Sequence, residues 1–79
     1  MNINATIWTK PNCTYCTQAK NLFERKNISY EEKIIGDGVT VEQLKELVPS
    51  ARTVPQIWLN DNYIGGFQEL AAFFQNAGA

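Results

Sequence analysis

The sequence predicts an α/β domain with a mixed four-stranded sheet and the order β-α-β-α-β-β-α, and three observations predict it. Residues 3–9 form a strand-like run that gives way, at Pro11, to an amphipathic helical pattern over residues 13–26. A second strand-like run, residues 28–35, is again followed by a helical stripe with its own start signal at Thr40. Two further strand-like runs are separated only by Asn60-Asp61-Asn62 and lead into a last helical pattern. Strands joined through a helix tend to pair in parallel, whereas a tight hairpin is antiparallel, so the sheet is mixed. The 79 residues suffice for one domain, 1–79, and leave no room for a second.

Each element has a local cause. Ile3, Ala5 and Ile7 fall on one side of the first run and Trp8 on the other, in a β-branched context that reads as a buried strand. Pro11 stops it, and Asn12 is placed to cap the helix after it. In that first helix Cys16, Ala19, Leu22 and Phe23 recur at spacings of three and four, and Asn27 marks the stop. Tyr30, Ile34 and Ile35, with charges between them, suit an outer strand ended by Gly36-Asp37-Gly38. Thr40 stands three residues before Gln43 as in a capping box, and Val41, Leu44, Leu47 and Val48 make one stripe up to Pro49. Residues 49–52 are loop. Residues 53–59 read as a strand that opens at its proline, Pro55, where the missing N–H costs least. Asn60-Asp61-Asn62 tolerate positive φ and turn the chain back into Tyr63-Ile64, and Gly65-Gly66 closes the hairpin. Leu70, Ala71, Phe73 and Phe74 mark the last helix, with Gly78 as its stop. Trp8, Trp58, Phe23, Phe73 and Phe74 are assigned to the core.

Composition excludes several classes of function. Hydrophobic residues make up 44% of the chain, with two Trp, three Tyr and four Phe, which is ample for a core and argues against disorder. Seven Lys+Arg against eight Asp+Glu give a net charge of −1 with no basic run to follow a phosphate backbone, so nucleic acid is not an expected partner. No stretch approaches the length of a membrane span, and the start lacks the charged and apolar regions of a signal peptide. The expectation is a cytosolic protein that does not engage membranes.

Chemistry concentrates in Pro11-Asn12-Cys13-Thr14-Tyr15-Cys16, which holds both cysteines of the chain. With Asn12 as cap and Cys13 in the first turn, unpaired backbone N–H groups and the positive end of the helix dipole face the Cys13 sulfur and favour thiolate over thiol. Lys10 acts in the same direction. Cys16 lies one turn deeper on the same face, within reach of a disulfide. A stabilising cross-link is the weaker reading, because so short a loop restricts the unfolded chain little. A zinc site needs four ligands, and the chain has no histidine and no second cysteine pair. From the motif alone redox chemistry, a metal site shared between chains and inert thiols all stay open.

The element order, the Cys13-Thr14-Tyr15-Cys16 centre, the Thr53-Val54-Pro55-Gln56-Ile57 segment and the Ile64-Gly65-Gly66-Phe67 turn together resemble the glutaredoxin family, of thioredoxin-like fold, over nearly the whole chain. The resemblance implies a thiol-disulfide oxidoreductase in which Cys13 attacks and Cys16 resolves, with glutathione as reductant and co-substrate and no metal. Its partners would be glutathione and disulfide-containing proteins, ribonucleotide reductase being a frequent client, and the protein would act as a monomer. Carried over by position, the glutathione site comprises Lys10 and Tyr15 beside the sulfur, and Thr53, Val54 and a cis Pro55 along the tripeptide backbone. Gly66, Phe67, Gln68 and Glu69 complete it at the start of the last helix.

Each of these residues also has a plainer reading. Tyr15 could be an exposed loop aromatic, Phe67 a hydrophobic staple, Lys10 a solvated charge and Pro55 a trans proline at a strand start. Glu69 could meet the glutathione ammonium group or simply be a favourable charge at a helix start. Two departures from the family's common pattern stand out. Thr14 replaces a proline, which frees a backbone N–H near Cys13, and Gln68 replaces an acidic residue. The alternatives are a redoxin reduced by thioredoxin reductase and, since Thr14 removes the proline, a dimer holding a [2Fe-2S] cluster through Cys13 and glutathione.

Overall fold

A computed structural model describes residues 3–77 and divides them into eight elements. These are β1 (Asn4–Thr9), α1 (Thr14–Arg25), β2 (Ser29–Ile35), β3 (Gly38–Val39), α2 (Val41–Leu47), β4 (Gln56–Leu59), β5 (Asn62–Gly65) and α3 (Phe67–Ala77). The sheet order is β3-β2-β1-β4-β5. β1 lies in the middle because its alternation lets it bury both faces, pairing in parallel with β2 and antiparallel with β4. The mixed sheet is as predicted, but it has five strands rather than four. Gly36 and Gly38, at φ 94° and 96°, coil the chain so that Gly38–Val39 returns beside Ile34 and Ile35. The glycine cluster ends β2 as expected, but it also bends the chain into β3, so β2 is not the outer strand.

The two faces of β1 organise two cores. Ala5 and Ile7 point to one side and pack with Ala19 and Phe23 of α1, Ile57 and Leu59 of β4, and Leu70 of α3. Trp8 points to the other and packs with Leu44, Val48 and Ala51 around α2. Two helices thus cover one face and a single short helix the other. α1 is closed at its C-terminus by Asn27 at φ 58°, with Ile28 N–H donating to Phe23 C=O at 2.9 Å and Asn27 N–H to Glu24 C=O at 3.2 Å. α2 carries both halves of the predicted capping box between Thr40 and Gln43.

Four expectations are corrected. Asn12 is not the cap of α1: it sits at φ 59° and turns the chain after Pro11, which moves the extended N-cap position one residue on, to Cys13. β4 begins at Gln56, not Thr53, because Pro55 has no N–H to give a ladder. Only Leu44 and Val48 of the α2 stripe are buried, since seven residues give too little helix to turn four apolar positions inward; Val41 and Leu47 stay exposed. Phe73 is exposed and lies edge-on to the half-buried Phe74, while Trp58 is half-buried against the α2 core. The stop assigned to Gly78 lies outside the described residues. Among those residues, no helix is long and apolar enough to cross a membrane.

Phe23 is fully buried and Phe73 is 40% exposed. Urea unfolding is expected to show Phe23→Ala losing about 3–5 kcal/mol, and Phe73→Ala losing under about 1 kcal/mol. Equal losses would contradict the packing described.

Candidate active site

β1 delivers the chain to the edge of the sheet, and Pro11 and the left-handed Asn12 reverse it there. Cys13 is the residue left in extended conformation at the helix start, and its Sγ takes the place that a hydroxyl or carboxylate takes in most caps. It accepts the backbone N–H of Cys16 at 3.2 Å. The Cys13 carbonyl in turn accepts Thr17 N–H at 3.1 Å and the Thr17 hydroxyl at 3.3 Å, which locks the first turn. Cys13 and Cys16 are joined in a disulfide across a Cα separation of 5.2 Å. Cys13 is half-buried and Cys16 only 2% exposed, so an incoming group reaches the first sulfur and finds the second behind it.

Two other segments lie beside this turn, one of them against the sulfur. The first is Thr53-Val54-Pro55, where the Val54–Pro55 bond is cis and the Val54 carbonyl oxygen lies 3.7 Å from Cys13 Sγ. The second is the start of α3. There the Glu69 carboxylate turns back to accept the Gly66 N–H at 2.8 Å, closing the first turn from inside. The return accounts for Gly65, and the Pro55 carbonyl accounts for Gly66. A Cβ on Gly65 would stand 2.8 Å from Glu69 Cγ, and one on Gly66 would stand 3.3 Å from the Pro55 carbonyl oxygen.

Between these segments runs a groove of about 320 Å³. Tyr15, Thr53, Val54 and Pro55 line it on one side and Gly66, Phe67, Gln68 and Glu69 on the other. These are eight of the nine residues that the sequence assigned to a tripeptide site. Lys10 is the ninth and is not among them; it lines the adjoining grooves on the α2 side and below the cysteines. Tyr15 is 56% exposed, and its ring stacks on Phe67 at 5.9 Å, so both sit at the groove's edge. Phe67 also packs against the larger core. Glu69 is engaged as a helix-start charge, which occupies the Gly66 N–H.

Two polar networks behind the site were not read from the sequence. Buried Gln56 donates from Nε2 to the Thr53 carbonyl at 2.8 Å and accepts the Tyr63 hydroxyl at its Oε1, tying the Thr53–Pro55 segment to β5. The available signal was a polar residue at the head of an otherwise apolar strand. The second network lies below the cysteines, where the buried Thr9 hydroxyl and Lys20 Nζ both donate to Glu32 Oε2, at 2.7 and 2.9 Å. Burial pushes the Glu32 carboxyl up, but hydrogen bonds from Thr9 and Lys20 and the Lys20 charge outweigh it and hold it below the usual carboxylate range. These side chains share a groove with Cys13 and Cys16.

Comparison with known proteins agrees with this geometry. Residues 5–64 match the glutaredoxin family. The chain is 38% identical over 76 residues to glutaredoxin 3 of Escherichia coli K12, covering 95% of this chain and 90% of that protein. It is also 38% identical over 69 residues to a hybrid peroxiredoxin of Haemophilus influenzae, covering 87% of this chain but spanning only 28% of the relative's length. The crystal structure of glutaredoxin 1 from Francisella tularensis, complexed with cacodylate, superposes with a TM-score of 0.81 at 34% identity, covering 95% of each chain.

Because folding lowers the Glu32 pKa, its ion pair contributes fully above the ordinary glutamate range and is lost as pH falls through the lowered value. The stability gap between the protein and Glu32→Gln in urea unfolding is therefore expected to narrow from neutral pH to below pH ~4. A gap that widens would reverse the assignment. Gln56→Leu leaves the Thr53 carbonyl without its donor and is expected to cost about 1–3 kcal/mol in the same measurement.

Proposed function

The chain belongs to the glutaredoxin family, and on that premise we propose that it reduces protein disulfides and glutathione mixed disulfides through Cys13 and Cys16, with glutathione as its reductant. It is a thiol-disulfide oxidoreductase of the glutaredoxin type. One observation carries the fuller reading: the half-buried Cys13 caps α1 with Cys16 shielded one turn on, and its sulfur lies against Val54 of a groove lined by residues 53–55 and 66–69.

The two sulfurs divide the work. In the reduced protein the Cys16 N–H and the N-terminal end of α1 favour the Cys13 thiolate, the nucleophilic form. It attacks one sulfur of a substrate disulfide; that bond breaks, one substrate thiolate leaves and takes a proton, and a mixed disulfide forms on Cys13. Cys16 gives up its proton and attacks the Cys13 sulfur, releasing the second substrate thiol and leaving the Cys13–Cys16 disulfide. One glutathione thiolate then opens that bond at Cys13, and a second removes the first as glutathione disulfide. Two electrons pass from two glutathiones to the substrate.

Glutathione lies extended along Thr53-Val54-Pro55 in this reading, with its backbone pairing at Val54 as an added strand would. Its γ-glutamyl carboxylate meets the N–H groups at the start of α3, near Phe67 and Gln68. Tyr15 shields its sulfur, and Lys10 supplies positive charge from outside the groove. Clients are disulfide-bearing proteins, ribonucleotide reductase among them. A dithiol that glutathione must keep reduced suits the cytoplasm, and a sulfur pair and a tripeptide groove supplied by the same chain suit a monomer. Among the described residues of one chain no three metal-ligating side chains cluster, so a [2Fe-2S] centre would require a second chain.

The test is NADPH consumption with glutathione, glutathione reductase and a small disulfide. The protein is expected to support it and Cys13→Ser to abolish it. Cys16→Ser is expected to lose reduction of protein disulfides while keeping most of the removal of glutathione from mixed disulfides. Consumption only with thioredoxin reductase, or a coloured protein after anaerobic purification, would replace this reading with a redoxin or a cluster-bridged dimer.

A further inference from the structure

The two sulfurs are not equally equipped. The backbone N–H of Cys16 goes to Cys13 Sγ at 3.2 Å, so the donors at the start of α1 favour charge on the first sulfur. Cys16 is only 2% exposed, and a thiol shielded from water gives up its proton less readily, yet it too must be a thiolate when it attacks. Cys16 does not line the tripeptide groove. It lines a different one, about 690 Å³, between the start of α1 and the strands β1 and β2. Besides the two cysteines, the titratable groups lining that groove are Lys10 after β1, Lys20 on α1 and Glu32 on β2. Lys20 stands four residues after Cys16 on the same face of the helix, and helical side chains lean toward the N-terminus, so its chain leans toward the turn that carries Cys16. Glu32 meets it from the sheet. It is in register with Ile7, which packs against α1, and on that side it accepts Lys20 Nζ at 2.9 Å and the Thr9 hydroxyl at 2.7 Å. The Lys20 and Glu32 side chains are 28% and 24% exposed, so water screens their charges only in part. Tyr30, on the same side of β2, gives its hydroxyl to Glu24 instead.

We propose that Lys20 assists the resolving step: its ammonium, fixed by Glu32 and Thr9, stabilises the negative charge that Cys16 acquires when it releases its proton and attacks the Cys13 sulfur. The inference rests on the reading of Cys16 as the resolving sulfur. In that step the Cys16 proton leaves through the groove to solvent and the bond between Cys16 and Cys13 forms. The bond from Cys13 to the substrate sulfur breaks, and its electron pair departs with the substrate thiolate. The ammonium gives up no proton and acts by its charge, as a lysine beside a thiol does. Glu32 is a positioning residue for that ammonium, and its own charge disfavours a thiolate nearby. Lys20 and Glu32 therefore act on Cys16 with opposite signs, whereas an ion pair that only braced α1 would give them the same sign.

The experiment uses the pre-reduced protein with the reducing agent removed, so it does not depend on which reductant serves the cycle. The protein is mixed by stopped flow with excess neutral dipyridyl disulfide, and release of the absorbing thiol product is followed. Attack by Cys13 gives a first phase whose rate rises with reagent concentration, and resolution by Cys16 gives a second phase independent of it. Below the pH at which Cys16 is half ionised, Lys20→Gln is expected to slow the second phase about threefold, because an about tenfold smaller thiolate fraction is partly offset by the stronger nucleophile that remains. Glu32→Gln keeps an acceptor for the ammonium but removes the anion, and is expected to speed that phase by a similar factor. Lys20→Arg keeps the charge and is expected to hold the rate near that of the unaltered protein. The pH profile of the second phase is expected to move to higher pH in Lys20→Gln and to lower pH in Glu32→Gln. Glutamine variants that slow the second phase alike would overturn the proposal, as would profiles that stay in place. A second phase that persists in Cys16→Ser would instead reject Cys16 as the resolving sulfur, and the proposal with it.

Discussion

The bond from the Cys16 N–H to the Cys13 sulfur is the interaction on which the rest of this structure depends. A sulfur atom serves as helix cap only if the helix is held still, and α1 is held at both ends and along one face. Ala19 and Phe23 are buried without exposure in the larger core, and the Asn27 closure ends the helix where β2 must begin. The parallel pairing of β1 with β2 then brings the helix start to the carboxyl edge of the central strand. Open α/β sheets place their ligands at that edge, because helix N-termini gather there with unpaired donors.

A capped sulfur is not yet a site. What makes it one is the arrival of two segments remote in sequence, each fixed by a polar contact that leaves no slack. Gln56 grips the Thr53 carbonyl and is gripped by Tyr63, so the backbone beside Cys13 has a defined position. Glu69 folds back onto Gly66, and the space it takes is available because Gly65 has no side chain. A buried polar group without a partner costs more than its bond contributes, and among the described residues every buried side-chain donor and acceptor is satisfied. The tight placement of the groove walls and this polar economy are one fact seen twice.

Two grooves flank the Thr53–Pro55 segment. Toward α3 the groove is small, with aromatic rings at its edge. Toward α2 it has an apolar floor and a basic rim. Both are lined by Thr53 and Val54, so this short segment divides one groove from the other. The short α2, which leaves part of its apolar stripe uncovered, is the structural reason that the second groove exists.

Local patterns along the chain were enough to determine the element order apart from β3, the mixed sheet, the capping box at Thr40, the stop at Asn27 and the two cysteines as the chemical centre. Each is written within a few residues: a periodicity, a cap, a turn. Resemblance singled out eight residues that line one groove between the Thr53–Pro55 segment and the start of α3, with Lys10 the one that stands apart. Only the tertiary structure decided that Cys13 and not Asn12 caps α1, that Phe73 faces water, that Gly38–Val39 adds a strand, and that Gln56 and Glu69 hold the walls. Those outcomes turn on where a chain reverses and on which distant groups then meet, and neither a reversal by one residue at Asn12 nor a contact between residue 13 and residue 54 leaves a periodic trace in the sequence.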